Sequence, residues 1–259
     1  MTPLLGHSAL GTGTEGVIAL HDWASDQTNW RALQPFVDTE TFRFLFADLR
    51  GYGESRTLPP EFSAAAIARD VLALADHEKW DRFHVVGHSM TGLVPVYLSI
   101  HHADRIASAT AITPLTPAGV PPDPALAEFF FNATTDDETL GALHAQSVGG
   151  AYGDTWTRAK IKQTRSATSP EVLQGYMALF LPSFHAELEA ACPSTPLLAI
   201  TGSRDMELFR REQLHDSLLR WFSNTRVETV ESGHFPMMEL PAQTAAILDD
   251  FLRAHRIKP

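Results

Sequence analysis

Phe83-His84-Val85-Val86-Gly87-His88-Ser89-Met90-Thr91-Gly92-Leu93 is the stretch on which the fold turns. A short apolar β-type run stops abruptly at Gly87, and Leu93-Val94-Pro95-Val96-Tyr97-Leu98 then has the character of a buried helix. A serine hydroxyl is a poor nucleophile until it is held clear of the backbone, near a base, with donors ready for the oxyanion it creates. A sharp strand-to-helix turn meets these needs, because small residues let the chain bend and the serine is forced to the tip. Ser89 is therefore the candidate nucleophile. The departure is Thr91, which stands where a G-x-S-x-G pattern has its second glycine. The turn must tolerate a β-branched residue there or lean on Gly92. Serines between glycines also occur in ordinary turns, so the motif needs support from elsewhere.

That support comes from the segments on either side. Gly16-Val17-Ile18-Ala19-Leu20 and Phe42-Arg43-Phe44-Leu45-Phe46-Ala47 read as buried strands, with helical spacing from Asn29 to Val37 between them. A helix is predicted from Ser63, its N-cap, to Asp76. Further strands are expected at 105–112, 195–200 and 225–230, with an amphipathic helix over Glu207–Trp221 and a closing helix from Pro241 to His255. Strands alternating with helices imply an α/β fold, a mostly parallel sheet flanked by helices. Composition shifts after the strand at 105–112. Thr113 to Pro124 is proline-rich, and Ala125 to Ala191 has helical pieces at 125–131, 137–146, 156–164 and 170–181 but no convincing strand. The expected organisation is a core of residues 1–113 and 194–259 carrying a helical cap, or lid, at 114–193. Ordinary crossover helices are the plainer reading, although a crossover normally needs only one.

Bulk properties exclude several function classes. The 259 residues carry a formal net charge of -11, which argues against a nucleic-acid partner and against anionic membrane surfaces. No stretch approaches the roughly 18 to 20 apolar residues of a membrane span. The N-terminus lacks the basic and apolar regions of a signal peptide, and the single cysteine, Cys192, fits a reducing compartment and reads as a small apolar filler beside Pro193. A cytoplasmic protein is the expectation. No Cys or His cluster has metal-ligand spacing, and Gly51-Tyr52-Gly53 lacks the rest of a dinucleotide fingerprint, so neither metal nor cofactor is expected.

Ser89, Asp205 and His234 each fall just beyond the C-terminal end of a predicted strand, the edge where open α/β sheets place ligands. A histidine base would take the serine proton, and a buried carboxylate would hold that base in the right tautomer. Glu207 competes with Asp205 for the acid, and the position just after Gly202-Ser203-Arg204 favours Asp205. Several motifs now stand in order: His21-Asp22-Trp23, Asp48-Leu49-Arg50-Gly51-Tyr52-Gly53-Glu54-Ser55, Gly87-His88-Ser89-Met90, Gly202-Ser203-Arg204-Asp205 and Gly233-His234. On these residues, over nearly its whole length, the chain resembles the α/β-hydrolase superfamily. The resemblance implies Ser89 as nucleophile, His234 as general base and acid, Asp205 as orienting carboxylate, and an oxyanion hole from the backbone amides of Trp23 and Met90. Asp22 departs from that pattern, standing where glycine usually follows the histidine. Turned inward, its charge would repel the oxyanion, so it is expected to turn away or to bind a polar substrate group or a lid residue.

Of the other histidines, His88 is expected to point away from Ser89 and His21 to be structural, while His144 and His185 fall in the cap, where they could line the pocket but solvent exposure is the favoured reading for both. The cap's aromatic stock, including Phe130, Trp156, Phe180 and Phe184, mostly serves its own core at helical spacing. Phe130, His144, Trp156, Asp22 and Trp23 are nevertheless candidate substrate contacts. The balance favours a hydrophobic acyl or aromatic ligand, hence a cofactor-independent serine hydrolase of a small carboxylic ester or lactone. Three alternatives stay open: a carbon-carbon hydrolase of a vinylogous diketone, with Arg158 or Arg165 as the cation for a second carboxylate, a cofactor-free oxygenase, and a slow-turnover ligand receptor.

Overall fold

The computed structural model describes residues 3–257. Seven strands form one sheet in the order β1-β3-β2-β4-β5-β6-β7, numbered along the chain: β1 His7–Leu10, β2 Glu15–Leu20, β3 Phe42–Ala47, β4 Phe83–His88, β5 Ile106–Ile112, β6 Leu197–Gly202 and β7 Thr225–Val230. Only β1 runs antiparallel, against β3. The inner strands β2, β4, β5 and β6 are buried at every position, as near-continuous apolar runs covered on both faces must be. β7, at one edge, is half exposed and polar.

Among the described residues ten α-helices accompany the sheet: α1 Ala64–His77, α2 Leu93–His101, α3 Pro124–Ala133, α4 Asp137–Ser147, α5 Asp154–Ala167, α6 Pro170–Tyr176, α7 His185–Ala191, α8 Arg211–Ser217, α9 Pro236–Glu239 and α10 Pro241–Ala254. One apolar cluster fills the sheet face carrying α1 and α2 and continues without a break into Leu140, Leu143, Leu173 and Tyr176 of α4 and α6. A second cluster on the opposite face joins Trp30, Phe44, Phe46 and Val86 to Leu248 and Phe251 of α10. Fully burying one such large side chain is worth about 1.5–3 kcal/mol. No helix among the described residues is long and apolar enough to cross a membrane.

The predicted elements mostly form, and the differences have local causes. Ser63 caps α1 by accepting from the Ala66 amide at 3.1 Å, as expected. The helix expected over Asn29–Val37 is replaced by two 3-10 turns, Gln27–Trp30 and Gln34–Phe36. Pro35 has no amide to donate there, and Trp30 is drawn down into the core. The helix expected over Glu207–Trp221 is broken at Arg210, whose backbone is extended and whose Nε donates to the Asp205 carbonyl at 2.8 Å, and again at Leu218. Cys192 is not a buried filler: it is exposed, in a left-handed turn (φ +41°) that ends α7.

The chain leaves β2 toward β3 on one side and leaves β4 toward β5 on the other. Their C-terminal ends therefore flank the point where the connections diverge and a crevice opens. The segment between β5 and β6 holds α3 to α7, and α3, α4 and the turn after α6 supply one wall of that crevice.

Candidate active site

Ser89 sits at the end of β4 with φ +56°, in the left-handed region that side chains other than glycine rarely occupy. Such a conformation costs on the order of 1–3 kcal/mol and persists only where the surroundings enforce it. Here they do. A Cβ on Gly87 would lie 2.1 Å from the Thr91 carbonyl oxygen, and one on Gly92 would lie 2.5 Å from the Pro114 ring, so both glycines permit the close turn. Thr91 is the unexpected part of the device. It is fully buried, accepts the His88 amide at 3.0 Å, and lies 2.9 Å from the His21 carbonyl and 3.2 Å from that of Leu20. Its hydroxyl ties the turn after β4 to the end of β2. The β-branched residue therefore braces the turn instead of straining it.

The Ser89 hydroxyl makes no hydrogen bond to a protein partner among the described residues, and Ser89 lines a cavity at the crevice. His234 lines the same cavity. Its Nδ1 lies 2.7 Å from Asp205 Oδ2, while Asp205 Oδ1 accepts the Met206 amide at 2.7 Å. Nδ1 therefore carries the proton and Nε2 presents a lone pair to the cavity. Ser89 and His234 are not hydrogen-bonded in this state, a separation common before substrate draws catalytic groups together. Burial pushes the Asp205 carboxyl up from its ordinary value, against the lowering effect of the His234 ring.

The backbone of His234 is gripped from three elements. Its carbonyl accepts from His88 Nε2 at 2.7 Å and from the Thr113 hydroxyl at 3.0 Å, and its amide donates to the Ser147 carbonyl of α4 at 2.7 Å. Thr113 does this from φ +40°, itself a strained value for a β-branched residue. Glu239 accepts the flanking Gly233 and Phe235 amides at 2.9 and 3.1 Å. His88 thus positions the histidine loop. Glu207 belongs to a separate 3-10 turn, and it is Asp205 that bonds His234.

Trp23 and Met90 both line the cavity, and neither backbone amide donates to a protein acceptor among the described residues. The Trp23 indole donates to the Leu173 carbonyl of α6 at 2.8 Å and packs edge-on against Phe130 and Phe180. His21 is structural in its contacts: Nδ1 donates to the Asp22 carbonyl at 2.7 Å and Nε2 accepts the Leu49 amide at 3.0 Å.

Asp22 is buried beside this group, and its Oδ1 is engaged from behind by the Ser25 hydroxyl and by Asn29 Nδ2 at 3.3 Å. The same Asn29 side chain donates to His88 Nδ1 at 3.3 Å and accepts from Lys160 Nζ of α5 at 3.1 Å. Lys160 is itself buried, held also by Gln163 at 2.7 Å and lying 4.2 Å over the Phe235 ring. Burial pushes the Asp22 carboxyl up, yet the Lys160 charge and the Ser25 hydroxyl outweigh it and hold the group well below the usual carboxylate range. Burial lowers Lys160 to about 8, against the pull of Asp22 and Asp26. It also keeps His88 and His144 neutral, each lowered to about 3. The Asp22 charge is thus compensated from the side away from the cavity.

Phe130 and His144 line the cavity, together with Phe180 and Phe209, and His144 is buried where the sequence favours solvent exposure. Trp156 does not. It packs between Tyr152 and Phe235 on the far side of the latter ring, so the expected substrate contact is corrected. Arg158 is exposed and pairs with Asp154, and Arg165 pairs with Asp137 at 2.8 Å and donates to the Ala133 and Thr134 carbonyls. Neither reaches the cavity. Thr113, Asn29, Lys160 and Glu239 were not singled out from sequence. Lys160 lies in the polar run Asp154–Ala167, where nothing local separates it from the neighbouring Lys162.

Residues 16–241 match the family model described as the alpha/beta hydrolase fold. The chain belongs to that family. It is 26% identical to the pimeloyl-[acyl-carrier protein] methyl ester esterase of Serratia marcescens over 260 aligned positions, covering 95% of this chain and 97% of the relative. It is 25% identical to a fluoroacetate dehalogenase of a Burkholderia species, covering 94% and 88% of the two chains. Among solved structures, the enol-lactonase of Burkholderia xenovorans superposes with a TM-score of 0.79 at 22% identity, over 96% of each chain, a likeness of fold. These relatives support a hydrolase activity for the family member described here.

Proposed function

We propose that the protein is a serine hydrolase that cleaves a small carboxylic ester or lactone with an apolar or aromatic moiety through an acyl-enzyme. The observation that carries this reading is the convergence in one cavity of an unpartnered Ser89 hydroxyl on a strained turn and a His234 ring whose Nδ1 is fixed by Asp205. Ser89 Oγ attacks the carbonyl carbon as His234 Nε2 takes its proton, and the Asp205 carboxylate stabilises the imidazolium. The Trp23 and Met90 amides receive the oxyanion, each donor commonly worth about 2.7–4 kcal/mol. His234 then protonates the departing alcohol, and water enters by the same route in reverse to release the acid. The helices between β5 and β6 act as the lid that walls the cavity with Phe130 and Phe180. Ester and lactone substrates also stand in the names of relatives of similar length and fold.

The carbon-carbon alternative loses its support, since Arg158 and Arg165 lie outside the cavity and the ionised Asp22 inside it opposes a second substrate carboxylate. The test is turnover of p-nitrophenyl esters from acetate to octanoate by the wild type and Ser89→Ala. The variant is expected to lose roughly 10⁴- to 10⁶-fold in kcat. Near-wild-type hydrolysis by Ser89→Ala would remove the serine from the mechanism.

A further inference from the structure

Two polar atoms of the cavity have no task in that mechanism. Asp22 Oδ2 receives no hydrogen bond among the described residues, on a side chain that lines the cavity and is only 5% exposed. His144, buried at 2% exposure, is the second. The Thr164 hydroxyl lies within bonding distance of the Ala24 and Lys160 carbonyls, so its proton goes to one of them. The His144 Nε2 proton, 3.3 Å from that oxygen, therefore points to Thr164. His144 Nδ1 is left as a bare acceptor, with no protein hydrogen bond among the described residues, on a side chain that lines the cavity. The lining of an otherwise apolar and aromatic pocket thus includes two acceptors that no protein donor satisfies among the described residues, one after β2 and one on α4. A buried acceptor left without a donor is costly, and a ligand that supplies the donor is favoured over one that does not.

We infer that Asp22 and His144 form a specificity subsite for an uncharged hydrogen-bond donor, a hydroxyl on the acyl portion of the substrate close to the scissile carbonyl. This rests on the serine-hydrolase reading for the location of the carbonyl: Asp22 immediately precedes Trp23, whose amide faces the oxyanion, so the donor sits within two or three bonds of that carbon. The donor is neutral because Lys160, through Asn29, already balances the Asp22 charge. A cationic ligand would add uncompensated charge to a cavity in which His234 must itself become cationic. The subsite also explains why a carboxylate is tolerated beside an oxyanion hole: its free oxygen is directed at the substrate's donor.

The experiment measures binding without turnover. Ser89→Ala protein is titrated calorimetrically with matched pairs, methyl phenylacetate against methyl mandelate and methyl 3-phenylpropanoate against methyl 3-hydroxy-3-phenylpropanoate, using both enantiomers of each hydroxy ester. The hydroxy member of at least one pair is expected to bind roughly ten- to a hundredfold more tightly, as a hydrogen bond to a charged group allows. In the Asp22→Leu background that preference falls to near unity, and in His144→Phe it is reduced. Because Asp22→Leu strands the Lys160 charge, Asp22→Leu/Lys160→Met is measured beside it. Equal or undetectable binding of both members in every pair, or a preference that survives the loss of Asp22, overturns the subsite. Turnover by protein with Ser89 intact reports separately on the nucleophile, so failure of one reading is not mistaken for failure of the other.

Discussion

Replacing Thr91 with valine changes the shape of the buried side chain hardly at all and removes only its hydroxyl. In the structure that hydroxyl accepts the His88 amide at 3.0 Å and has the His21 carbonyl at 2.9 Å. Thr91→Val leaves the His88 amide buried without an acceptor and the His21 carbonyl without that donor. An orphaned buried amide costs about 1–3 kcal/mol and the under-satisfied carbonyl less, so the variant should lose about 2–3 kcal/mol of stability. At about 2–4 °C per kcal/mol for a domain of this size, the midpoint should fall by roughly 4–12 °C. Urea unfolding followed by circular dichroism supplies the free energy, with an unchanged m-value showing that the denatured state is the same. Ester turnover should fall by up to about a hundredfold if the turn relaxes by about an ångström. Thr91→Ser keeps the hydroxyl and should retain most of the stability. Thr91→Gly, which restores the common family pattern, should be less stable than Thr91→Val because it loses the hydroxyl and opens a void. A valine variant within about 0.5 kcal/mol of wild type, the usual range for changes that touch nothing, or a glycine variant more stable than wild type, would refute the brace.

Gly87→Ala places a Cβ 2.1 Å from backbone that cannot yield. It should cost about a hundredfold or more in kcat, read from ester hydrolysis at a temperature where circular dichroism shows a folded protein. Asp205→Asn, which removes the carboxylate from His234 Nδ1, should lower kcat by roughly 10⁴ with little change in KM. Lys160 is lowered to about 8 from 10.5 in the folded protein. Between those values the unfolded chain holds a proton that the folded one does not, so this site's contribution to stability rises with pH, by at most about 3 kcal/mol. The stability difference between wild type and Lys160→Met, measured in urea at about pH 7.5 and about pH 10, should move in favour of wild type at the higher pH. A difference independent of pH would mean that Lys160 is not held in a desolvated site.

What can be read from the chain alone is what local pattern and spacing carry. The inner strands announce themselves because a strand covered on both faces must be apolar throughout, and Ser63 announces α1 because a cap needs a short side-chain acceptor. Ser89, Asp205 and His234 are legible because each follows such a strand, and the strand ends share one edge of a parallel sheet. Where packing outweighs local pattern, the sequence misleads. Trp30 pulls the Asn29–Val37 segment into 3-10 turns, Arg210 interrupts Glu207–Trp221 to reach the Asp205 carbonyl, and Trp156 turns to the wrong side of Phe235 to line the cavity. The groups that hold the site come from distant parts of the chain. Thr113 and His88 meet at the His234 carbonyl, 121 and 146 residues away, and Lys160 reaches Asn29 across 131. Asp22 and Thr91 look like defects when read beside their neighbours. Only the folded chain supplies Lys160 behind the carboxylate and the Leu20 and His21 carbonyls against the hydroxyl, because burial and charge balance are properties of what surrounds a residue in space.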